Sequence, residues 1–134
     1  MSGEIDLGKL LSSLKTEMHK DVFVFATIAS GVMPAGLTPQ MAFTEAEGLS
    51  LILTKDQAAA HSLPYEYESK MITLNIHSSL EAVGFMAHIS ALLADAGISV
   101  NPVAGFYHDH LFVPVAKADA ACQILHNISS IRAS

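Results

Sequence analysis

The chain has 134 residues, a size that suits one domain or two small units sharing one core. Hydrophobic residues make up 51% of it and charged residues 15%, and the mean hydropathy is +0.40, so we expect part of the surface to be buried in subunit contacts. The net charge is −6, and the seven Lys and Arg residues are nowhere clustered. This argues against nucleic acid or an anionic membrane as a partner.

The cellular location is predicted from apolar runs, the N-terminus and cysteine usage. The longest apolar runs, such as Val22–Ala29, are far shorter than the ~20 residues that cross a bilayer. Residues Met1–Leu11 lack a basic segment and a cleavage site, so no export signal is expected. The single cysteine, Cys122, suits a reducing compartment. We therefore predict a soluble, cytoplasmic protein.

The N-terminal third predicts a helix, a strand and a loop. Leucine and methionine recur at spacings of three and four across Asp6–His19, which predicts an amphipathic helix. β-Branched and aromatic residues predict a strand over Val22–Ile28. The glycines and prolines of Ser30–Pro39 predict a loop.

The middle of the chain predicts a hairpin, a short helix and further strands. Met41–Glu45 and Leu49–Thr54 predict two strands joined by a turn at Glu47 and Gly48. Lys55–Ser62 predicts a short helix, and Tyr65–His77 predicts one or two strands.

The last third carries the sharpest signals. Ser78 and Glu81 form an S-x-x-E capping box, which predicts a helix that starts at Ser78 and runs to Gly97. Two strands joined by a turn and a final helix are predicted over Ile98–Val103, His110–Val113 and Lys117–Ile128.

A passage from strand to helix occurs twice. The pattern L-x-L-x-L-x-K-x-x-A-A begins at Leu49 and recurs from Leu111 as L-x-V-x-V-x-K-x-x-A-A. It predicts a duplication with units at residues 1–68 and 69–134. The first unit is abbreviated, because the loop Ser30–Pro39 stands where the second unit has its first helix.

The residues from Val83 to Val100 resemble the signature of ACT domains. They contain VGFMAHI, then Leu92-Leu93, then AGISV, which match a glycine, an apolar helix, an AGI turn and a strand. The segment EGLSLIL and the later hairpin resemble short bacterial proteins with tandem ACT-like units, which are related to regulatory regions of aspartate kinases and to an animal cytosolic arginine sensor.

This resemblance implies an α+β, ferredoxin-like fold, with antiparallel sheets that carry helices on one face. It also implies the binding of a small effector such as an amino acid. The chain departs from the family at Val83, where many members have proline. Only Ser129–Ser134 follow the last predicted helix, which is short for a fourth strand, so the second unit could borrow that strand from the first unit or from another subunit.

The entrance of the predicted helix is the first candidate site. Ser78, Ser79, Val83 and Gly84 would present backbone N–H groups and the positive end of the helix dipole, which suit a carboxylate. Alternatively, the capping box satisfies these amides and Gly84 only permits close packing.

Asn101 and Asp109 complete the candidate binding set. The Asn101 amide could bind both a carboxylate and an amine, although Asn before proline is also a common turn former. Asp109 enters through the resemblance, because in the related arginine sensor an aspartate in the corresponding hairpin holds the ligand. A cationic amino acid would suit Asp109 best.

No motif predicts catalysis, a metal or a cofactor. His108 and His110 could share a metal on one strand face, but no third ligand is suitably spaced, so we expect no retained metal. The chain has no nucleophile elbow, P-loop or dinucleotide fingerprint. We predict a non-catalytic, homo-oligomeric sensor or regulatory protein that binds a small molecule; an assembly module and an enzyme with an unrecognised site remain the alternatives.

Overall fold

The computed structural model of the chain describes residue 3, residues 5–76 and residues 79–133, with side chains up to residue 128. The chain divides into two compact units, a terminal unit of residues 1–19 and 70–134 and a central unit of residues 20–69. In chain order the elements are α1 (Leu7–Ser12), β1 (Thr16–Ile28), β2 (Met41–Glu45), β3 (Gly48–Thr54), α2 (Lys55–Ala60), β4 (Glu66–Leu74), α3 (Phe85–Asp95), β5 (Asn101–Ala104), β6 (Asp109–Pro114) and α4 (Ala118–Ala133).

The strands are hydrogen-bonded in the order β2-β3-β1-β4-β6-β5. The pairs β1–β3, β2–β3 and β5–β6 are antiparallel. Because side chains alternate along a strand, every second residue of a strand lies on the same face.

In the central unit, the predicted hairpin and short helix are confirmed. β2 pairs with β3 from Met41 opposite Ile52 to Glu45 opposite Gly48. Gly48 is required at the turn, because a Cβ there would collide with the carbonyl oxygen of Ile28. The core of this unit consists of Val24, Leu37, Leu51, Leu53 and Ala58.

The terminal unit has a larger core, which α1, α3 and α4 share with the sheet. Leu10 and Leu11 of α1 are fully buried, and so are Ile89 and Leu93 of α3. The other fully buried members are Ile72, Leu74, Leu111, Val113, Ala121 and Leu125.

The predicted helix over Asp6–His19 is wrong in its second half. α1 ends at Ser12, and Thr16–His19 begin β1. The backbone carbonyl of Lys15 accepts a hydrogen bond from the N–H of Asn75, the residue after β4, over 2.6 Å. This pairing with the end of β4 replaces the last turns of the predicted helix. Leu14 still reaches the core, whereas Met18 is 38% exposed.

The predicted start of the next helix at Ser78 is also wrong, although its end is confirmed. α3 begins at Phe85 with Gly84 as its N-cap, seven residues later than predicted. At the other end, Gly97 has φ +75°, and its N–H and that of Ile98 cap the carbonyls of Ala94 and Leu93.

The last third follows the predicted order with shifted bounds. β5 begins at Asn101 rather than Ile98, because Ile98 packs in the core. Val115, which follows the predicted strand His110–Val113, starts a 3-10 turn and is 41% exposed. α4 extends to Ala133, so residues 129–133 lengthen the helix and add no strand.

Candidate functional site

A cavity of about 180 Å³ opens in the terminal unit beside the start of α3 and the β5–β6 hairpin. The cavity is lined by Ser79, Leu80, Ala82, Phe85, Met86, Ala104, Gly105 and Asp109.

The first wall of the cavity is the segment from Ser79 to Met86. The Ser79 hydroxyl accepts the Glu81 N–H over 3.1 Å, and the Ser79 carbonyl accepts the Ala82 N–H over 3.0 Å, which makes a tight turn. The Ser-x-x-Glu pattern predicted a helix start here instead of a turn. A serine hydroxyl accepts a hydrogen bond from a nearby backbone N–H both at a helix start and in a turn, so the pattern does not separate the two.

The start of α3 forms the end of this wall. The first peptide N–H groups of any α-helix have no acceptor within the helix, and the dipole makes this end partially positive. In α3 these are the N–H groups of Phe85 and Met86, whose residues both line the cavity. Phe85 is only 3% exposed, so it anchors the wall in the core.

The second wall is the turn between β5 and β6. The pair Ala104 and Asp109 closes the ladder, and the Gly105 N–H donates to the His108 carbonyl over 2.9 Å. A Cβ on Gly105 would lie 2.9 Å from that oxygen, so glycine is needed for this tight turn. Asp109 is half-buried and thereby lines the cavity, within the same unit as the start of α3.

Two residues of the predicted binding set, Ser79 and Asp109, line the same cavity. Ser78 lies outside the described residues. Val83 is 84% exposed and is not part of the lining. Asn101 is exposed at the opposite end of β5, where it pairs with Phe112, so the structure does not bring it to the cavity.

Gly84 stands next to the cavity lining as the N-cap of α3. Its φ is +90°, which is the left-handed region that favours glycine. A Cβ there would make only an ordinary contact of 3.6 Å with Leu7 Cδ2. Glycine is therefore needed for the backbone conformation rather than for space.

Sequence reasoning missed the apolar part of the lining. Phe85 and Met86 were predicted to lie in the interior of the helix, because that helix was expected to begin seven residues earlier. Ala104 followed the predicted strand Ile98–Val103 and Gly105 began the predicted turn, and no sequence pattern distinguishes a turn that lines a cavity from one that does not.

The histidines of the predicted pair differ in their surroundings. The ring centroids of His108 and His110 are 6.4 Å apart. Within the described residues, no three His, Cys, Asp or Glu side chains are grouped to hold a metal ion. The Nδ1 atom of His110 lies 3.0 Å from the Thr73 hydroxyl, which also lies 2.7 Å from Nε2 of His19.

Cys122 is half-buried on α4. Burial raises the pKa of its thiol, and Asp119 raises it further, so the reactive thiolate is disfavoured.

Of the helices in the described residues, none combines the length and the apolar character that crossing a membrane requires.

The fold and the cavity together define an α+β protein of the ferredoxin-like class. A sequence model of the ACT domain matches residues 2–70, and a second ACT domain model matches residues 66–127. The chain therefore belongs to the ACT domain family, with two such domains in tandem, as the resemblance implied. The predicted boundary between residues 68 and 69 stays a prediction.

Solved structures agree with this assignment. A protein of unknown function from Vibrio cholerae, described as a possible transport protein, is 38% identical, with a TM-score of 0.81 over 92% of this chain and 95% of that one. A protein from Agrobacterium tumefaciens is 18% identical, with a TM-score of 0.73 over 87% and 89% of the two chains.

The fold also occurs in the regulatory subunit of aspartate kinase from Thermus flavus, which is 12% identical, with a TM-score of 0.63 over 84% of this chain and 95% of that one. No curated protein sequence matches the chain. Membership of the ACT domain family supports a regulatory, ligand-binding role.

Proposed function

We propose that this chain is a non-catalytic regulatory protein that binds an amino acid in the cavity of its terminal unit. One observation carries the proposal: Asp109 and the start of α3 line the same cavity of about 180 Å³. The regulatory subunits of aspartate kinase, which share the fold, support the regulatory part.

The chemistry of an amino acid zwitterion matches the two walls. Its carboxylate needs donors, and the N–H groups at the start of α3 with the positive end of the dipole supply them. Its ammonium needs an acceptor. A carboxylate offers about four lone-pair sites, so Asp109 can accept an ammonium in addition to other partners.

The side chain of the amino acid would meet the apolar lining. Leu80, Ala82, Phe85 and Met86 contribute apolar surface beside the polar groups. Most small-molecule sites combine an apolar lining with a few placed polar groups. A second positive charge on the ligand would be favoured by Asp109 and by the net charge of −6.

A homo-oligomer in the cytoplasm is part of this proposal. Several large apolar side chains near the cavity are exposed, and such a patch favours association. They are Leu80 at 70%, Val83 at 84%, Phe106 at 68% and Tyr107 at 62%. The same residues support the alternative, which is a module for assembly that binds no small molecule.

Thermal unfolding with each of the twenty amino acids tests the proposal. A ligand that binds only the folded state at 100 times its Kd stabilises it by about 2.7 kcal/mol. We expect one amino acid, or a small chemically related group, to raise Tm with a saturating concentration dependence. If none of the twenty raises Tm at millimolar concentration, the amino-acid proposal fails and the assembly module is favoured.

A further inference from the structure

We propose that the side chains of His19, Thr73 and His110 form a pH-sensitive chain that sets the position of the β5–β6 hairpin, and with it the cavity wall that carries Asp109.

The chain of hydrogen bonds links three strands of the terminal unit. Nε2 of His19 on β1 lies 2.7 Å from the Thr73 hydroxyl on β4, which lies 3.0 Å from Nδ1 of His110 on β6. Thr73 is only 6% exposed, whereas both histidines are half-buried. The hydroxyl is therefore the buried centre of the chain.

The Thr73 hydroxyl can bond to both histidines when both imidazole rings are neutral. A hydroxyl has one proton to donate and lone pairs that accept. When both rings are neutral, Thr73 donates to one ring nitrogen and accepts an N–H from the other, so all three groups are satisfied. Which ring donates depends on its tautomer.

Protonation of the ring that accepts from Thr73 breaks this match. The ring that accepted from Thr73 becomes a donor, so both rings then donate to the same oxygen and the hydroxyl proton loses its acceptor. An unsatisfied polar group in a buried position is costly. Uptake of a proton therefore favours a rearrangement in which one ring leaves Thr73.

Most of the surroundings of His110 also favour its neutral ring. Burial lowers the pKa of His110, and His108 and His19 lower it further. Asp109 opposes them by raising the pKa. The net effect is a lowered pKa, so the neutral ring is the form that the folded protein favours.

His110 lies where a movement of its ring would shift the turn that lines the cavity. A Cβ on Gly105 would lie 3.3 Å from Nε2 of His110, so the ring lies against the turn. Gly105 and Asp109 both line the cavity, and Asp109 directly precedes His110. A positive ring would also compete with a ligand's ammonium for Asp109; this last step alone rests on the proposed function.

The direction of the pH effect follows from the lowered pKa. Because the folded pKa lies below the unfolded value of 6.5, the unfolded chain binds the proton more readily. The stabilisation is complete above 6.5 and is lost as the pH falls towards the folded pKa. One proton changes the unfolding equilibrium constant by at most about tenfold per pH unit.

An NMR titration of the full-length, ligand-free chain between about pH 5 and pH 8 tests the proposal in the range where histidines titrate. We expect the His110 ring to titrate below 6.5, and the amide signals of Gly105 and Asp109 to move with the same midpoint. In His19→Gln, which removes a neighbouring imidazole, the His110 midpoint should rise. His126→Gln, at an exposed position on α4, should leave it unchanged.

Urea unfolding at the same pH values provides the second readout. His110→Gln should reduce the loss of stability on acidification, whereas His126→Gln should retain it. A His110 midpoint at or above 6.5 would overturn the proposal, as would Gly105 and Asp109 amides that do not follow the ring. Because no ligand is added, neither result depends on the proposed function.

Discussion

Two glycines beside the cavity serve different physical purposes. Gly84 has φ +90°, and a Cβ there would meet only an ordinary contact of 3.6 Å, whereas a Cβ on Gly105 would lie 2.9 Å from the His108 carbonyl oxygen. The sequence drew attention to Gly84 through the ACT-like segment. It could not reveal Gly105, because the requirement arises from a backbone contact across a turn.

Gly84→Ala should lower the free energy of unfolding by about 1–2 kcal/mol, because a left-handed backbone strains any residue with a Cβ. Gly84→Asn should cost less, since asparagine tolerates this conformation. Urea denaturation measures both. Equal losses in the two variants would show that contacts of the new side chain, rather than φ, determine the cost.

Asp109→Asn should weaken binding of the amino acid found by thermal shift by about tenfold to a hundredfold, because a charge-assisted hydrogen bond contributes ~1.5–3 kcal/mol. Isothermal titration calorimetry gives the Kd. Asp95→Asn is the matched control, since Asp95 is exposed at the end of α3 and outside the cavity lining. If both variants bind within twofold of the native chain, Asp109 does not hold the ligand.

At the scale of elements, local patterns located some boundaries well and others poorly. The hairpin of β2 and β3 and the end of α3 at Gly97 were predictable, because alternation and turn glycines act locally. The end of α1 and the start of α3 were not. The helical spacing of leucine and methionine continued past Ser12, where α1 ends. Thr16–His19 form a strand instead, because the chain pairs there with the end of β4.

The start of α3 shows the limit of capping motifs. The Ser-x-x-Glu spacing is a signal for a helix start only where the following backbone is helical. Here Leu80 and Glu81 lie in a turn, and the left-handed Gly84 redirects the chain before the helix begins. Three residues of this detour, Ser79, Leu80 and Ala82, line the cavity.

Thr54 caps the short helix α2, so its hydroxyl should matter for stability. The hydroxyl accepts the Gln57 N–H over 3.2 Å. Thr54→Ala should destabilise the chain by about 1 kcal/mol, because an N-cap hydrogen bond is lost. Thr54→Ser keeps the hydroxyl and should retain most of the stability in urea unfolding. A similar loss in both variants would assign the effect to the methyl group instead.

At the scale of the whole molecule, the sequence predicted a duplication because a strand-to-helix passage occurs twice, and the ACT family came from the resemblance of residues 83–100. In the structure, Leu51 and Leu53 of the first copy and Leu111 and Val113 of the second are all buried. Sequence could not predict that α1 packs in the core of the terminal unit, because that contact joins residues far apart in the chain.

The chain should form a dimer or a larger assembly. The mean hydropathy of +0.40 and the exposed apolar residues Leu80, Val83 and Phe106 favour burial of further surface. Light scattering with size exclusion should give a mass of at least twice the chain mass of 14.2 kDa. A constant 14.2 kDa across micromolar concentrations would rule out this prediction.

The most direct measurement of the central claim is an NMR titration of the isotopically labelled chain with the amino acid that raises Tm most. The proposed site predicts saturable shifts of the Phe85, Met86, Gly105 and Asp109 amides, with a shared Kd that increases in Asp109→Asn. Saturable shifts confined to residues 20–69, with these four amides unmoved, would contradict a binding site at the start of α3 and the β5–β6 turn.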